Sequence, residues 1–141
     1  MDEEQFWLQI RWTLGYTPEQ LARLSERNRN CLRNLYVARD YRMYAEVVKA
    51  ENCGLRPNIG DKYVFSLSGF LRPEESSIPR VCLWALAPML SYHLMVHDRV
   101  SEGRAVAGEL GRVKCADLSV ECGGFGEAIF KLYCDKAQGK D

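Results

Sequence analysis

Apolar residues in the first forty positions of the chain recur with the spacing of amphipathic helices. Asp2 and Gln5 have the spacing of a capping box, and Thr17 precedes Pro18 in a second helix-start pattern. The pattern predicts a helix over residues 3–14, a second over residues 18–27 and a short third helix that Asn30 caps. The N-terminal segment is therefore expected to be helical throughout.

After residue 40 the period of the pattern changes to that of strands. The segments MYAEVVKA and KYVFSL are rich in β-branched and aromatic residues, and the glycines, asparagines and proline between them are typical of a loop. Further along, RVKCADL places Val113 and Cys115 on one face, and EAIFKLYC places alternate residues from Ala128 to Cys134 on one face. These four segments predict four strands.

The most apolar stretch of the chain, VCLWALAPMLSYHLMV, lies between the two pairs of strands. Pro79 suits the first turn of a helix, so the stretch predicts one long buried helix over about residues 79–97. Pro88 lies inside this helix and removes one backbone hydrogen bond. A kink is expected at that point.

The order of the elements predicts an α+β fold. Three helices are followed by a β-β-α-β-β core, which indicates an antiparallel or mixed sheet packed against the long apolar helix. A chain of 141 residues has the length of one ordinary domain. We expect a single domain over residues 1–141, with a helical N-terminal extension over residues 1–40 and an α+β core over residues 41–135.

Charge and composition narrow the classes of partner. The 19 acidic and 19 basic residues balance and are scattered, so no overall field favours nucleic acid or an anionic membrane. The N-terminus lacks the basic start and apolar core of a signal peptide, and the longest apolar run is shorter than the roughly 20 residues of a membrane span. We expect a cytoplasmic protein whose partner is a small molecule or another protein, with neither nucleic acid nor membrane as a partner.

The chain contains six cysteines but no C-x-x-C pair. The strongest sequence signal for structural zinc or for a thioredoxin-like redox centre is therefore absent. Free thiols pack as small hydrophobic groups, and a cytosolic chain of this size does not depend on disulfides. Most of the cysteines are expected to be reduced, and core packing is the alternative interpretation for each of them.

Cys82 is the leading candidate for thiol chemistry. It is predicted to lie in the first turns of the long helix, just after Arg80, and a helix N-terminus and a guanidinium both favour the thiolate. Asp117, which follows the third strand, is the candidate acid–base group. The alternative for Cys82 is a small apolar residue at the start of a buried helix.

A ligand pocket is predicted between the long helix and the ends of the strands. Cys53, in the turn after the first strand, and Cys115, on the inward face of the third strand, are expected to line it together with Arg80. In the segment VKCADLSVECGGFGEAIF, Gly123 and Gly124 permit unusual backbone angles and are expected to present N–H groups to an anionic group of the ligand.

Two groups of residues suggest a metal site as an alternative. Cys53, Cys115 and Cys122 are thiols in turns and strand ends, and thiolates favour zinc or an iron centre. His93 and His97 are four residues apart and share a helix face, but the Glu of a zinc-protease motif is missing. A solvated His97 or a partner for the helix dipole is the alternative to the histidine site.

From about residue 44 to residue 134 the chain resembles a family of small, uncharacterised bacterial and archaeal proteins. The stretches that carry the resemblance are AEVVKAENCGLRPNIGDKYVF, IPRVCLWALAPML with the SEG that follows, and VKCADL. The resemblance implies that Cys53, Cys82 and Cys115 recur together and share a site. It covers roughly two thirds of the chain, and the N-terminal helical segment and the glycine loop at Cys122 lie outside the family's layout.

Three functions follow as hypotheses. The first is the binding of a small organic molecule in the cysteine-lined pocket, with or without thiol or acid–base chemistry on a small organic acid or aromatic compound. The second is a cysteine-ligated zinc or iron protein. The third is a non-catalytic interaction module whose N-terminal helices form a homodimer or dock a partner.

Overall fold

A computed structural model describes residues 1–138 of the chain. Within these residues the α-helices are α1 (Glu3–Leu14), α2 (Pro18–Arg23), α3 (Glu26–Val37), α4 (Leu83–Leu86) and α5 (Leu90–Ser101). The strands are β1 (Tyr41–Glu51), β2 (Lys62–Ser66), β3 (Gly108–Lys114) and β4 (Glu127–Lys136). Short 3₁₀ segments cover Ala87–Met89 and Val120–Cys122. The fold is α+β, with the N-terminal helices ahead of the strands, as predicted.

Capping boxes fix the starts of the first two helices. The Asp2 carboxylate accepts a hydrogen bond from the backbone N–H of Gln5 at 2.8 Å, and the side-chain oxygen of Gln5 accepts one from the backbone N–H of Asp2 at 3.3 Å. Thr17 and Gln20 form the same arrangement at α2. Because both boxes satisfy N–H groups that have no partner within the helix, the predicted starts of α1 and α2 are confirmed.

The second and third helices divide at a different place from the one predicted. α2 ends at Arg23 instead of residue 27, because Leu24 adopts an extended backbone and leaves the helix. Ser25 then caps α3, and its hydroxyl accepts a hydrogen bond from the N–H of Asn28 at 3.1 Å. The prediction that Asn30 is the cap is wrong, since Asn30 lies one turn inside α3.

The four strands form one antiparallel sheet in the order β2-β1-β4-β3. The central pair is β1 and β4, which are hydrogen-bonded along nearly their whole length. Glu51 at the end of β1 pairs with Glu127 at the start of β4, and Lys114 at the end of β3 pairs with Ile129. The end of β1, the start of β4 and the end of β3 therefore meet at one end of the sheet.

The two faces of the sheet differ in character because alternate side chains point to opposite sides. One face carries the buried side chains that pack against α4 and α5, among them Met43, Val47, Phe130 and Leu132. On the opposite face the rings of Tyr44 and Tyr133 stack with centroids 5.0 Å apart. The alternation predicted for the fourth strand is confirmed by its burial pattern.

The predicted long helix is two helices with a 3₁₀ segment between them. Its start lies at Leu83 and not near Pro79, because residues 79–82 have no helical structure. The hydroxyl of Tyr63 in β2 holds this segment by donating to the Arg80 carbonyl at 2.6 Å. The interruption falls at Pro88, where the chain lacks a backbone donor, as predicted. No helix among residues 1–138 combines the length and apolarity needed to cross a bilayer.

The N-terminal helices are attached to the core through α3. Phe6 of α1 packs edge-on against Tyr36 of α3, with ring centroids 5.5 Å apart, and Arg33 forms an ion pair with Glu3 at 2.7 Å. α3 in turn packs against α5, where the side-chain amide of Asn34 donates to the Val100 carbonyl at 2.9 Å. α1 thus packs on α3, and α3 packs on α5 of the core.

A strap, defined as residues 67–82, connects β2 to α4, and its first part runs back along the free edge of β2. Ser76 and Ser77 accept hydrogen bonds from the backbone N–H groups of Val64 and Lys62, both at 2.9 Å. Arg42 of β1 donates two hydrogen bonds to the carboxylate of Glu75, at 2.8 and 3.1 Å. These contacts fix the path that leads to the start of α4.

Candidate functional site

A cleft of about 660 Å³ lies at the end of the sheet where β1 and β3 finish and β4 begins. Its walls are the turn after β1, the segment that runs from the strap into α4, the residues after β3 and the first residues of β4. In residue numbers these are 52–55, 80–85, 115–117 and 125–128. The antiparallel order of the sheet brings these four separate segments together.

Three thiols from different segments line this cleft. Cys53 comes from the turn after β1, Cys82 from the end of the strap and Cys115 from the end of β3. All three are free and half-buried. Arg80 and Asp117 also line the cleft, so it gathers five of the side chains that the sequence singled out.

The Cys115 sulfur is fixed by the first residues of β4. The backbone N–H of Ala128 donates to the Cys115 sulfur at 3.4 Å, while the N–H of Cys115 donates to the Ala128 carbonyl at 2.9 Å. Because the two residues bond to each other twice, the thiol has a defined position in the cleft wall. The prediction that Cys115 follows Val113 on a half-buried face agrees with their exposure.

Cys82 occupies a different position from the one predicted. It is the residue that precedes α4, in an extended conformation, and its side chain makes no capping hydrogen bond. α4 itself is a helix of four residues. The argument that a long helix beginning at residue 79 places the Cys82 thiol in its first turns is therefore wrong, although the thiol does line the cleft.

Tyr63 is a buried residue of β2 that holds the segment before Cys82, and it was not identified from the sequence. Its side chain is fully buried, and burial raises the pKa of its phenol, whereas a hydrogen bond with the Cys82 backbone lowers it. The Tyr63 hydroxyl donates a hydrogen bond to the Arg80 carbonyl at 2.6 Å, two residues before Cys82. Tyrosine at strand spacing indicates core packing, so nothing in the pattern distinguishes this hydroxyl.

Two hydrogen bonds hold the walls of the cleft together. Arg80 donates through Nη2 to the carbonyl of Gly54 at 2.7 Å, which ties the start of the α4 segment to the turn after β1. On the other side, the N–H of Ala116 donates to the Trp84 carbonyl at 2.9 Å. The α4 segment is thus anchored to the strand ends on both sides.

Asp117 organises the loop between β3 and β4. Its carboxylate accepts hydrogen bonds from the backbone N–H groups of Phe125 at 2.8 Å, Ser119 at 3.1 Å and Gly126 at 3.2 Å. These bonds, first of all the one from Phe125, lower the pKa of Asp117. The structure gives the predicted acid–base group a loop-organising role instead, because both carboxylate oxygens already accept backbone N–H groups.

Gly123 and Gly124 do not present their N–H groups to the cleft as predicted. The N–H of Gly124 donates to the Ser119 carbonyl at 2.6 Å, and that of Gly123 donates to the Val120 carbonyl at 3.3 Å. A side chain at Gly124 would overlap the carboxylate of Asp117. Gly124 therefore serves the close packing of the loop around Asp117, whereas Gly123 supplies a left-handed turn with φ of 89°, and the N–H groups of both already have backbone partners.

The predicted metal ligands Cys53, Cys115 and Cys122 are not assembled as a set. Cys122 is exposed in the 3₁₀ segment after β3 and is not part of the cleft lining. Over residues 1–138, no three or more His, Cys, Asp or Glu side chains are grouped so as to hold a metal ion. The donor geometry required for a cysteine-ligated zinc or iron is not present among them.

The two histidines of α5 contact different parts of the protein. Nε2 of His97 lies 3.6 Å from the sulfur of Cys31, a buried residue of α3. His93 packs against Gly69 in the strap, and its Nδ1 is buried without a hydrogen-bond partner. Burial, and secondarily the charge of His97, lower the pKa of His93. The His97 ring thus contacts α3, and the His93 ring contacts the strap.

The remaining two cysteines belong to the core. Cys31 is 5% exposed and Cys134 is 2% exposed. Burial raises the pKa of the Cys134 thiol to about 11, so it is a neutral packing group at pH 7. The core interpretation of cysteine describes these two positions fully, whereas Cys53, Cys82 and Cys115 pack partly buried against the same core and also line the cleft.

The mouth of the cleft is apolar, and this feature was also missed. Val81, Leu83, Trp84 and Phe125 line it while remaining between 55% and 80% exposed. In a sequence, valine, leucine, tryptophan and phenylalanine indicate core packing. These four are exposed because of where the α4 segment and the β3–β4 loop lie in the fold. The arrangement combines a large apolar contact surface with one guanidinium and three thiols.

Comparison of the chain with family models of known proteins, with curated proteins and with solved structures found no match. The resemblance to a family of small bacterial and archaeal proteins therefore stays a prediction.

Proposed function

We propose that the cleft binds a small organic molecule with an apolar body and a carboxylate. The observation that carries the proposal is the convergence of four chain segments on one cleft of about 660 Å³, with apolar side chains at its mouth and a guanidinium in its wall. Small-molecule sites have volumes of roughly 300–1,000 Å³ and combine apolar walls with few polar groups. The dimensions and lining of the cleft fit this description.

The apolar body of the ligand would contact the exposed rings at the cleft mouth. Trp84 is 55% exposed and Phe125 is 80% exposed, and they come from different walls of the cleft. A ligand between them would remove apolar surface of both side chains from water, which is favourable by roughly 25 cal/mol per Å². A flat aromatic or short aliphatic group suits a surface of this kind.

Arg80 would bind the carboxylate. Its guanidinium carries five N–H donors, and the bond from Nη2 to Gly54 fixes its orientation within the wall. A carboxylate that approaches the remaining donors would form charge-assisted hydrogen bonds, which are stronger than neutral ones. The thiols of Cys53, Cys82 and Cys115 would supply the polarisable wall beneath the ligand.

The proposal is tested with two probes of nearly equal shape, 4-phenylbutyrate and its uncharged amide 4-phenylbutanamide. Titration of ¹⁵N-labelled protein should shift the amide resonances of residues 53, 82, 115 and 128 in a saturable manner. Arg80→Gln should weaken binding of the carboxylate by about tenfold and leave binding of the amide unchanged, because only the carboxylate gains a charge-assisted bond. Arg23→Gln, at an exposed position in α2, is the charge-matched control.

The aromatic contact is tested separately. Trp84→Ala should weaken both probes, whereas Trp12→Ala, at an exposed tryptophan in α1, should weaken neither. The proposal fails if neither probe produces saturable shifts at the cleft, or if the shifts cluster elsewhere on the molecule.

A further inference from the structure

The outer side of α4 and α5 carries a regular apolar stripe that nothing in the described chain covers. The stripe consists of Leu83, Ala87, Leu90 and Leu94, which are all exposed. The leucines are 76%, 60% and 59% exposed. Their spacing of four, three and four residues follows one side of α4, of the 3₁₀ segment that contains Ala87, and of α5. Because the opposite side of these helices already packs on the sheet, the stripe faces solvent.

The segment of the chain that carries the stripe has no formally charged side chain. No Asp, Glu, Lys or Arg occurs from Val81 to His97. Burial, with a smaller effect of the charge on His97, lowers the pKa of His93 and favours its neutral form. Charges lie at the two ends of this segment, where Arg80 precedes it and Asp98 forms an ion pair with Arg27 at 3.0 Å. An apolar centre between charged ends has the layout of a protein interface.

The exposed area is large enough for a specific contact. The large apolar residues on or beside the stripe expose on the order of 600 Å² in total, against the roughly 800 Å² per partner of a standard interface. They are Val81, Leu83, Trp84, Leu90 and Leu94. Ala87, Ser91 and the charged ends supply the rest of such an area. This exposure lies at the upper limit of the patches found on proteins that stay monomeric, roughly 300–600 Å².

We propose that this stripe is the interface with a second copy of the same chain. An uncharged surface does not attract an acidic or a basic partner by its charge. A second copy of the same uncharged stripe can pack against it without repulsion between like charges. Rotation about a two-fold axis places the two stripes against each other in antiparallel directions, so each leucine fits between side chains of the other copy. The proposal differs from the homodimer expected from the N-terminal helices and does not rest on ligand binding in the cleft. Val81, Leu83 and Trp84 border both the stripe and the cleft mouth.

The oligomeric state in solution tests the proposal. Sedimentation over a concentration range of roughly 1–200 µM should show a reversible dimer, in the affinity range of interfaces of this size. Leu90→Glu and Leu94→Glu should each weaken association by at least about tenfold, because each places two like charges within the apolar contact. Leu8→Glu is the matched control, since Leu8 is a 54% exposed leucine on the outer side of α1. Thermal melts followed by circular dichroism show that the variants remain folded.

Three results would overturn the proposal. The first is a wild-type chain that stays monomeric over the whole concentration range. The second is a dimer that Leu8→Glu dissociates and that Leu90→Glu and Leu94→Glu do not. The third is a monomer that binds phosphatidylcholine vesicles through the stripe, with binding lost in Leu94→Glu, since the occupant would then be lipid.

Discussion

At the scale of single residues, the partners of a side chain decide its role more than its type does. Asp117 has the type of an acid–base group, but its oxygens accept backbone N–H groups of residues 119, 125 and 126. Those donors are positioned by the conformation of a loop, which no periodicity describes. Tyr63 was missed for the same reason. Its burial follows from the strand pattern, but the backbone groups that its hydroxyl contacts belong to residues 80 and 82, far along the chain.

Tyr63→Phe should destabilise the protein by about 1–2 kcal/mol, because the partly buried hydrogen bond from its hydroxyl to the Arg80 carbonyl is lost. Urea denaturation measures the change in the free energy of unfolding. Tyr133→Phe, on the opposite face of the sheet, is the control and should stay close to wild type. Equal stability of Tyr63→Phe and wild type would show that the hydroxyl does not hold the Arg80–Cys82 segment.

At the scale of the elements, alternation and capping predicted most of the fold. The first, second and fourth strands, the first helix and the break at Pro88 follow from patterns within about ten residues. The third strand was predicted too late in the chain: the pattern placed it over RVKCADL, residues 112–118, whereas β3 covers Gly108–Lys114, because pairing with β4 already begins where Gly108 lies opposite Cys134. The start of the apolar helix could not be predicted from such a pattern. Residues 79–82 are not helical, and Arg80 instead contacts β2 and the turn after β1. Ser25 rather than Asn30 caps α3 because Leu24 adopts an extended backbone, so that α3 begins directly after Ser25, five residues before Asn30.

The ion pair of Arg42 and Glu75 helps to hold the strap against β1. The two side chains are 13% and 24% exposed. Hydrogen bonds from Arg42 are the main cause of the lowered pKa of Glu75. The stability that Glu75 contributes is therefore present above the pKa of an unfolded glutamate, about 4.3, and is lost as the pH falls through the lower folded-state value.

Glu75→Gln should consequently lower the free energy of unfolding by about 1–2 kcal/mol at pH 7, with the difference from wild type shrinking as the pH falls below about 4. Denaturation at a series of pH values measures both quantities. Glu74→Gln, whose side chain is 52% exposed, is the control and should change little at any pH. A Glu75→Gln deficit that is the same at pH 3 and pH 7 would contradict the ion-pair account.

At the scale of the whole molecule, the antiparallel order of the strands creates the cleft. The sequence predicted that Cys53, Cys82 and Cys115 approach the ends of the elements, and the sheet order β2-β1-β4-β3 brings those ends together. The exposed apolar mouth and the stripe on α4 and α5 escaped prediction because an apolar residue in a sequence indicates burial. Which side of a helix is left uncovered depends on what the rest of the chain packs against.

The most direct test of the proposed binding site is the alkylation rate of each cysteine, measured by mass spectrometry with and without saturating 4-phenylbutyrate. Bound ligand should slow alkylation of Cys53, Cys82 and Cys115 by about fivefold or more, because their thiols line the cleft. Alkylation of the exposed Cys122, outside the cleft lining, should not change. Unchanged rates at all four cysteines, or equal slowing that includes Cys122, would contradict the account.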